Sequence, residues 1–350
     1  MKRKVAILGA TGLVGQRLVQ LLQSHPWFKV EVLAASERSA GKKYHAACNW
    51  ILESEMPTDV GEMKLVNSDV RSVEKAGDVD IVFSSLPADA AGQIEEEFAK
   101  KFPVFSKASA HRLEEDVPLI IPEVNPDHLR LIPFQKKRRR WQGFISTDPN
   151  CSTIQLGITL KPLMPFNLKR VIVSSMQALS GAGYPGVASV DMVDNVLPYI
   201  PNEEEKIEVE TLKILGDFKG SKVHPLNAIV SASCNRVSVK DGHMECVFVE
   251  CEANPSVEEV RGAFEHFRGK PQELKLPSAP TNPILVRDEP NRPQPRFDRD
   301  AGKGMSVVVG RIRHDRALGI KYICLGHNTI RGAAGAALLS AELATQKGYV

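Results

Sequence analysis

A glycine-rich turn between a strand and a helix is the feature that most constrains the fold of this chain. Residues 4–8 form an apolar strand that runs into Gly9-Ala10-Thr11-Gly12-Leu13-Val14-Gly15, and a helical segment follows. Gly9 allows a tight turn, Gly12 lets the backbone approach a pyrophosphate, and Gly15 lets the helix pack closely on the strand. The helix N-terminus then meets the phosphate charge. The turn therefore predicts a dinucleotide site that contains these residues: Gly9, Thr11, Gly12, Leu13, Val14 and Gly15.

Strands alternate with helices in the first part of the chain, which predicts a parallel sheet with right-handed crossovers. The later strands are residues 28–35, residues 80–84 and a segment that starts at Pro103. Ligands of such sheets bind at the carboxyl ends of the strands. Small or polar residues stand at these ends: Gly12, Ser36, Ser85 and Ser106. Arg112 follows the last of them and is either an anion ligand or a surface arginine.

The end of the second strand bears on the choice between NAD and NADP. An NAD enzyme usually places an acidic residue there to bind the ribose 2′-hydroxyl. Here the strand ends at Ser36, and Arg38 and Ser39 follow. These groups suit a 2′-phosphate and favour NADP, whereas Glu37 would favour NAD if it pointed inward. The alternative is that Ser36, Arg38 and Ser39 belong to a solvated polar loop that binds no cofactor.

Composition excludes several classes of protein. A length of 350 residues predicts two domains, and a net charge of +3 does not indicate a nucleic-acid partner. The basic run at residues 136–140 is expected to be a solvated helix face. The six cysteines form no CxxC pair, so neither a zinc site nor a redox pair is indicated, and they are sparse for a disulfide framework in a chain of this length. No signal-peptide pattern or membrane-spanning run is present, so we expect a cytoplasmic protein with reduced thiols.

Cys151 is a candidate nucleophile because it stands between a strand-like run and a helix-like run. The run of residues 143–147 ends in Asp148-Pro149-Asn150-Cys151-Ser152-Thr153, and residues 154–163 look helical. A helix start gathers unpaired backbone N–H groups and the positive end of the helix dipole. This environment is expected to favour the thiolate, the nucleophilic form of cysteine. A buried, inert cysteine is the alternative.

The second half of the chain carries further candidate groups. The loop Ser180-Gly181-Ala182-Gly183 is small enough for a ring or a substrate to approach. Glu203 and Lys206 stand one turn apart on a predicted helix, and spacing alone favours an exposed pair. Arg236 and His243 lie on two strand-like runs joined by Lys240-Asp241-Gly242, and an Asp-Gly pair predicts a hairpin. Residues 281–296 are predicted to be a loop, and residues 332–347 a small-residue helix.

These motifs together resemble the aspartate-β-semialdehyde dehydrogenase family, most closely its archaeal and fungal branch. The resemblance covers nearly the whole chain and rests on motifs that occur in the family's order. They are the turn at Gly9 to Gly15, Asn150-Cys151-Ser152-Thr153, Gln177 with Ser180-Gly181-Ala182-Gly183, Asn235-Arg236-Val237, Gly242-His243, and His327-Asn328-Thr329-Ile330-Arg331-Gly332-Ala333-Ala334-Gly335.

The resemblance implies an NADP-dependent enzyme that interconverts L-aspartyl 4-phosphate and L-aspartate 4-semialdehyde through a cysteine thioester, in lysine, methionine and threonine biosynthesis. It implies that Cys151 is the nucleophile, His243 the acid/base and Gln177 an orienting group. The implied substrate ligands are Arg236 for the α-carboxylate, Glu203 for the α-amino group, and Arg112, Asn150 and Lys206 for the phosphate. The cofactor site would further include these residues: Ser36, Arg38, Ser39, Ser85, Leu86, Ser180, Gly181, Gly183, Asn328 and Thr329.

The expected fold is α/β. A Rossmann-type NADP-binding domain would comprise residues 1–149 with a returning C-terminal helix at residues 327–350. An α+β catalytic and dimerisation domain, of the glyceraldehyde-3-phosphate dehydrogenase-like kind, would comprise residues 150–326. The expected partners are the small substrates, inorganic phosphate and further copies of the chain in a homodimer or homotetramer, with no nucleic acid, membrane or metal.

Two alternatives stay open from the sequence. A malonyl-CoA reductase on the same scaffold is similar along most of the chain but departs around Cys151, and fold does not fix substrate. A non-catalytic NADP-sensing protein belongs to another class, and the joint presence of Cys151, Arg236 and His243 argues against it.

Overall fold

The first part of the chain forms a six-stranded parallel sheet in the order β3-β2-β1-β4-β5-β6. The computed structural model describes residues 2–350. The strands of this sheet are β1 (Arg3–Leu8), β2 (Phe28–Ala35), β3 (Leu65–Asn67), β4 (Ile81–Ser84), β5 (Pro103–Ser106) and β6 (Phe144–Thr147). The predicted Rossmann-type sheet is confirmed, and β3 is a strand that the sequence analysis missed.

Helices flank this sheet on both faces, as right-handed crossovers require. They are α1 (Leu13–Leu22), α2 (Tyr44–Ala47), α3 (Thr58–Gly61), α4 (Val70–Ala76), α5 (Ala88–Ala99) and α6 (Leu131–Arg139). Val5 and Ile7 pack in one hydrophobic cluster with Leu18 of α1, and Ala6 and Leu8 pack in another on the opposite face. Burial on both faces explains why β1 is apolar throughout rather than alternating.

The second part of the chain forms a mixed six-stranded sheet in the order β10-β7-β11-β14-β13-β12. Its strands are β7 (Leu168–Gln177), β10 (Ile229–Arg236), β11 (His243–Cys251), β12 (Ile284–Arg287), β13 (Val307–Asp315) and β14 (Gly319–Gly326). A separate antiparallel pair is formed by β8 (Asp217–Lys219) and β9 (Lys222–His224). The remaining helices are α7 (Cys151–Leu160), α8 (Ser189–Met192), α9 (Glu203–Ile214), α10 (Val257–His266), α11 (Lys270–Glu273), α12 (Pro295–Asp298) and α13 (Gly335–Gln346).

The predicted hairpin through Asp241-Gly242 is wrong. Strand β7 lies between β10 and β11, parallel to the first and antiparallel to the second. The connecting segment instead crosses the end of β7, where the N–H groups of Leu179 and Ser180 donate to the carbonyls of Val239 and Lys240 at 2.7 and 3.1 Å. These bonds satisfy the backbone of the segment without pairing its flanking strands.

The predicted loop at residues 281–296 is also wrong in part. Ile284–Arg287 pairs in parallel with β13, and Ile284 is buried in the core of the second sheet. A short apolar run between prolines is sufficient for an edge strand, since proline is tolerated at strand ends.

The C-terminal helix returns to the first sheet. Leu338, Leu339 and Leu343 of α13 share a hydrophobic cluster with Val5 and Ile7 of β1. No helix within residues 2–350 is both long and apolar enough to cross a membrane.

Candidate active site

Cys151 is the first residue of α7, and Asn150 caps the helix. The side-chain oxygen of Asn150 accepts hydrogen bonds from the N–H groups of Ser152 and Thr153 at 2.9 and 3.3 Å. The helix begins earlier than the apolar pattern predicts because this cap satisfies its first donors. The placement of Cys151 at a helix start is confirmed.

His243 lies beside Cys151. Its Nε2 is 3.2 Å from the sulfur of Cys151, and its Nδ1 accepts a hydrogen bond from the N–H of Ala178 at 3.0 Å. A nitrogen that accepts a backbone N–H carries no proton, so the neutral ring holds its proton on Nε2. His243 therefore presents an N–H to the sulfur.

The resting pair is a neutral thiol and a neutral imidazole. Burial, followed by the charge of Glu203, raises the pKa of the Cys151 thiol to about 12, although Lys107 and Arg112 act in the opposite direction. Burial, followed by the charge of Arg236, lowers the pKa of His243 to about 3. Burial therefore opposes the thiolate that the helix start is expected to favour.

Arg236 reaches the same place from β10. It stands in register with Gln177 at the end of β7, and its Nη1 donates to the carbonyl of Ala178 at 2.8 Å. The N–H of Ala178 thus holds His243, and the carbonyl of Ala178 holds Arg236, both just beyond the end of β7. Gln177 is buried, and its amide nitrogen lies 3.2 Å from the hydroxyl of Ser175.

Gly181 packs directly against Arg236 and His243. A Cβ at this position would lie 2.8 Å from Nη1 of Arg236 and 3.0 Å from Cε1 of His243. Gly332 approaches from the other side, where a Cβ would lie 2.7 Å from Cβ of Cys151. Both glycines are required by close packing around the reactive groups.

Glu203 and Lys206 are not the exposed pair that their spacing suggests. Glu203 is buried and accepts a hydrogen bond from the amide of Asn150 at 2.8 Å. Lys206 is half-buried, with its Nζ 4.0 Å from the Glu203 carboxylate. The first turn of α9 therefore faces the nucleophile rather than solvent.

Arg112 is buried, so its interpretation as a surface arginine is wrong. Its Nη1 donates to Glu210 at 2.9 Å, and the other carboxylate oxygen of Glu210 accepts from the N–H of Asn150 at 2.6 Å. Its Nη2 donates to the carbonyl of Lys107 at 2.8 Å. Arg112 is thereby linked to the loop that carries Cys151.

Three residues of this cluster were missed from the sequence: Lys107, Asp148 and Glu210. Lys107 directly follows Ser106 at the carboxyl end of β5, so the rule that located Ser36 and Ser85 could have found it. Asp148 is buried, and burial raises its pKa to about 6. Glu210 lies two turns beyond Glu203 on α9, and no local pattern distinguishes it from an exposed helix acid.

The glycine-rich turn has the geometry of a phosphate cradle. Gly9 has φ +73°, and a Cβ there would lie 2.7 Å from the carbonyl of Ser85, whereas a Cβ on Gly15 would lie 2.4 Å from the carbonyl of Gly9. Gly12 precedes α1 without a side-chain cap, which leaves the first N–H groups of that helix for an anion. These observations fit a dinucleotide.

The other predicted cofactor residues lie around the same edge. Ser36 and Arg38 are exposed just beyond β2, where a ribose phosphate could meet them. Asn328 accepts from the N–H of Gly242 and donates to the hydroxyl of Ser180, both at 2.8 Å. A cleft of about 510 Å³ extends from Leu13 to Ser180 and Gly183. It connects the glycine-rich turn with the loop above His243.

Comparison with known proteins gives the family. The family description "Semialdehyde dehydrogenase, NAD binding domain" matches residues 4–132, and "Semialdehyde dehydrogenase, dimerisation domain" matches residues 160–331. An aspartate-semialdehyde dehydrogenase of Archaeoglobus fulgidus is 56% identical over 98% of both chains, and that of Schizosaccharomyces pombe is 46% identical over 99% of both. A malonyl CoA reductase (NADP) of Metallosphaera sedula is 44% identical over 99% of this chain and 98% of its own.

Solved structures agree with these sequences. The crystal structure of aspartate semialdehyde dehydrogenase with NADP from Candida albicans covers 99% of this chain and 100% of its own, with 41% identity and a TM-score of 0.92. The archaeal and fungal resemblance and the predicted fold class are confirmed. The chain belongs to the aspartate-semialdehyde dehydrogenase family.

Proposed function

We propose that this chain is an NADP-dependent aspartate-semialdehyde dehydrogenase. It interconverts L-aspartyl 4-phosphate and L-aspartate 4-semialdehyde, the step that leads toward lysine, methionine and threonine. The observation that carries the proposal is the 3.2 Å approach of Cys151 and His243, with His243 held by the N–H of Ala178 and Arg236 by the carbonyl of the same residue. A nucleophile, a proton donor and a carboxylate ligand thus meet at one strand end.

Covalent catalysis follows from the sulfur. The Cys151 sulfur attacks the acyl carbon of the acyl phosphate, the carbon–oxygen bond to phosphate breaks, the thiol proton leaves with the departing phosphate, and a thioester remains. NADPH held by the glycine-rich turn from Gly9 to Gly15 would supply the hydride that reduces the thioester carbonyl. Breaking the carbon–sulfur bond would then release the aldehyde, and the Cys151 sulfur would regain a proton from solvent. The backbone N–H of Cys151 at the start of α7 is positioned to stabilise the developing oxyanion.

His243 acts as a donor in the state that the hydrogen bonds define. Its Nε2–H stabilises negative charge on the sulfur and then on the oxygen of the hemithioacetal by donating a hydrogen bond, without giving up its proton. To act as a base toward the thiol, the ring would need its proton on Nδ1, where the N–H of Ala178 opposes it. The acid half of the acid/base role is therefore the one that the resting geometry supports.

Substrate binding is assigned by charge and hydrogen-bonding capacity. Arg236 can hold the α-carboxylate with two parallel hydrogen bonds. Glu203 carries the negative charge for the α-amino group, and Gln177 orients the substrate from the strand end. Arg112, Asn150 and Lys206 are proposed for the phosphate, in each case beside Glu203 or Glu210.

The cofactor is assigned to the cleft between the glycine-rich turn and the loop at Ser180. The turn from Gly9 to Gly15 would hold the pyrophosphate, and Ser36, Arg38 and Ser39 the ribose 2′-phosphate. The nicotinamide end is assigned to the small-residue side of the cleft, with these residues: Ser85, Leu86, Ser180, Gly181, Gly183, Asn328 and Thr329.

The domain division and the assembly are also proposals. Residues 1–149 with 327–350 would bind NADP, and residues 150–326 would carry the catalytic groups and the dimer contact. Ile172 is exposed on the outer face of β7, and Met176 and Phe248 of that face are only partly buried. These exposed or partly buried apolar side chains on one face of the sheet support a homodimer or a homotetramer. The free thiols of all six cysteines suit a reducing compartment such as the cytoplasm.

A coupled assay tests the activity. NADP reduction that requires both L-aspartate 4-semialdehyde and inorganic phosphate is the expected result. NADPH oxidation with malonyl-CoA but none with aspartyl phosphate would instead identify an acyl-CoA reductase. NADPH binding without turnover of either substrate would identify a sensor.

A further inference from the structure

Lys107 and Lys213 are both buried, but their ammonium groups donate different numbers of hydrogen bonds. Lys213 donates to three backbone carbonyls, those of Arg112, Glu114 and Val117, at 2.7, 2.8 and 3.1 Å. Lys107 donates to one, the carbonyl of Pro149 at 3.1 Å. Burial lowers the pKa of each lysine to about 8. An ammonium group has three N–H donors. All those of Lys213 are used, whereas Lys107 keeps donors that can bind a further acceptor.

The unused capacity of Lys107 lies next to the nucleophile. The side chain of Lys107 is 9% exposed, and Pro149 stands two residues before Cys151. The nearest carboxylate oxygen, Oδ2 of Asp148, is 3.9 Å from Nζ, which is an ion pair without a hydrogen bond. Among the charges that lower the pKa of the Cys151 thiol, Lys107 is the strongest and Arg112 the next.

Arg112 adds a second free donor. Its guanidinium is buried, and its Nε has no hydrogen-bond partner within the described part of the chain, residues 2–350. The charge of Arg112 is already matched by Glu210 at 2.9 Å. Lys107 therefore supplies a cation whose ion pair with Asp148 lacks a hydrogen bond, and Arg112 supplies an unsatisfied N–H; the charges of both lower the pKa of the Cys151 thiol. A buried donor left unpaired is costly, which is a reason to expect a ligand that pairs with it.

We propose that Lys107 and Nε of Arg112 form an anion subsite beside Cys151 that takes the phosphoryl group of the substrate, and inorganic phosphate in the oxidative direction. This inference rests on the proposed function and adds Lys107 to it as a binding residue. A phosphate offers several oxygens, so it can accept hydrogen bonds from more than one donor. The side chain of Asn150 caps α7 and donates to Glu203, and Lys107 adds a positive charge that Asn150 cannot supply.

Steady-state kinetics in the oxidative direction test the subsite. In Lys107→Met the KM for inorganic phosphate is expected to rise about 10-fold or more, as for one lost charge-assisted hydrogen bond. The KM values for semialdehyde and NADP should stay within about twofold, because their proposed ligands are elsewhere. Lys107→Arg, which keeps the charge, should recover part of the phosphate affinity.

Lys213→Met is the comparison variant, because it removes a lysine of similar burial whose three donors are all used. It should lower thermal stability, and it should raise the KM for phosphate less than Lys107→Met does, because Lys213 contacts only the backbone of Arg112. An unchanged phosphate KM in Lys107→Met, or a rise in the semialdehyde KM instead, would overturn the subsite.

A second readout does not depend on turnover. Inorganic phosphate should slow alkylation of Cys151 by iodoacetamide in the wild-type protein, and this protection should be lost in Lys107→Met. Protection in the wild type without phosphate-dependent semialdehyde oxidation would keep the subsite and reject the proposed function. Equal protection in wild type and variant would reject the subsite.

The wild-type protein alone supplies a further measurement if Lys107→Met does not fold. Phosphate protection should weaken as pH rises through about 8, where Lys107 loses its proton. Protection that stays constant from pH 7 to pH 9.5 would contradict the proposal.

Discussion

The N–H of Ala178 and Nδ1 of His243 form a 3.0 Å hydrogen bond that fixes the proton of the imidazole on the nitrogen facing Cys151. An imidazolium would present two N–H groups to each other at this position, so the bond disfavours the charged ring. The pair therefore starts from a neutral thiol rather than from a thiolate–imidazolium ion pair. This relationship governs how the nucleophile responds to pH.

The alkylation rate of Cys151 is expected to rise about 10-fold per pH unit across neutrality. Burial raises the pKa of the thiol to about 12, so the thiolate fraction grows with pH throughout this range. The measurement is the rate of iodoacetamide labelling of the cofactor-free protein from pH 5 to pH 10, with Cys151→Ser as the blank. A plateau between pH 5 and pH 8 would indicate an ion pair and contradict the neutral assignment.

Cys151→Ser should abolish turnover and leave NADP affinity within about twofold of the wild type. A serine hydroxyl is a much poorer nucleophile than a thiolate, and the glycine-rich turn that is proposed to hold the pyrophosphate lies elsewhere. Initial rates and NADPH fluorescence titration measure the two quantities separately. Substantial residual turnover would refute Cys151 as the nucleophile.

Gly181→Ala should reduce kcat/KM by about 100-fold without unfolding the protein, since displacing reactive groups by about 1 Å can cost that much. The added Cβ would lie 2.8 Å from Arg236 and 3.0 Å from His243, so one of these side chains must move. Gly262→Ala is the matched control, because a Cβ at that position in α10 meets nothing within 4 Å. The control should keep full activity and gain about 0.5–1 kcal/mol of stability. Wild-type kinetics in Gly181→Ala would show that the packing is looser than described.

Arg236→Lys should raise the KM for aspartate semialdehyde about 10-fold. A lysine keeps the charge but cannot form the two parallel hydrogen bonds that a guanidinium makes with a carboxylate. The KM values for semialdehyde and for phosphate should be measured together, since only the first is expected to change strongly. An unchanged semialdehyde KM would remove Arg236 from the site.

Glu245→Gln should stabilise the protein increasingly as pH rises. Glu245 is fully buried on β11, its Oε2 lies 3.4 Å from the sulfur of Cys324, and burial raises the pKa of its carboxyl to about 8. The folded state thus holds a proton that the unfolded state loses near pH 4.5, so this contribution to stability is complete below pH 4.5. It falls by up to about 1.4 kcal/mol per pH unit as pH rises toward 8.

Urea denaturation at pH 5, 6.5 and 8 measures that difference at fixed protein concentration. The wild type should lose stability relative to Glu245→Gln from the first pH to the last. Parallel pH profiles of the two proteins would show that Glu245 ionises normally in the folded state.

The predictable parts of the molecule are those set by neighbours in the chain. The turn from Gly9 to Gly15 and the helix start at Cys151 were predicted correctly because backbone conformation and capping are local. The hairpin at Asp241-Gly242 was wrong because strand order in a mixed sheet depends on pairing with β7, far away in the chain. The strand at Ile284–Arg287 was missed for the same reason.

Burial accounts for most of what was missed in the site. Glu203 looks like one of three exposed acids at the start of a helix, and only packing against Asn150 turns it inward. Lys107 looks like an ordinary surface lysine at the end of a strand. The thiol of Cys151 illustrates the same limit, since its pKa depends on desolvation by groups from several distant segments.

The packing of α13 against β1 has a consequence for synthesis on the ribosome. Strand β1 is synthesised long before the leucines at positions 338, 339 and 343 that cover it, and the side chain of Arg3 donates to the main-chain oxygen of Val350 at 2.8 Å. One flank of the first sheet therefore remains open to water until α13 has been synthesised. A chain truncated shortly before residue 338 would leave that flank uncovered.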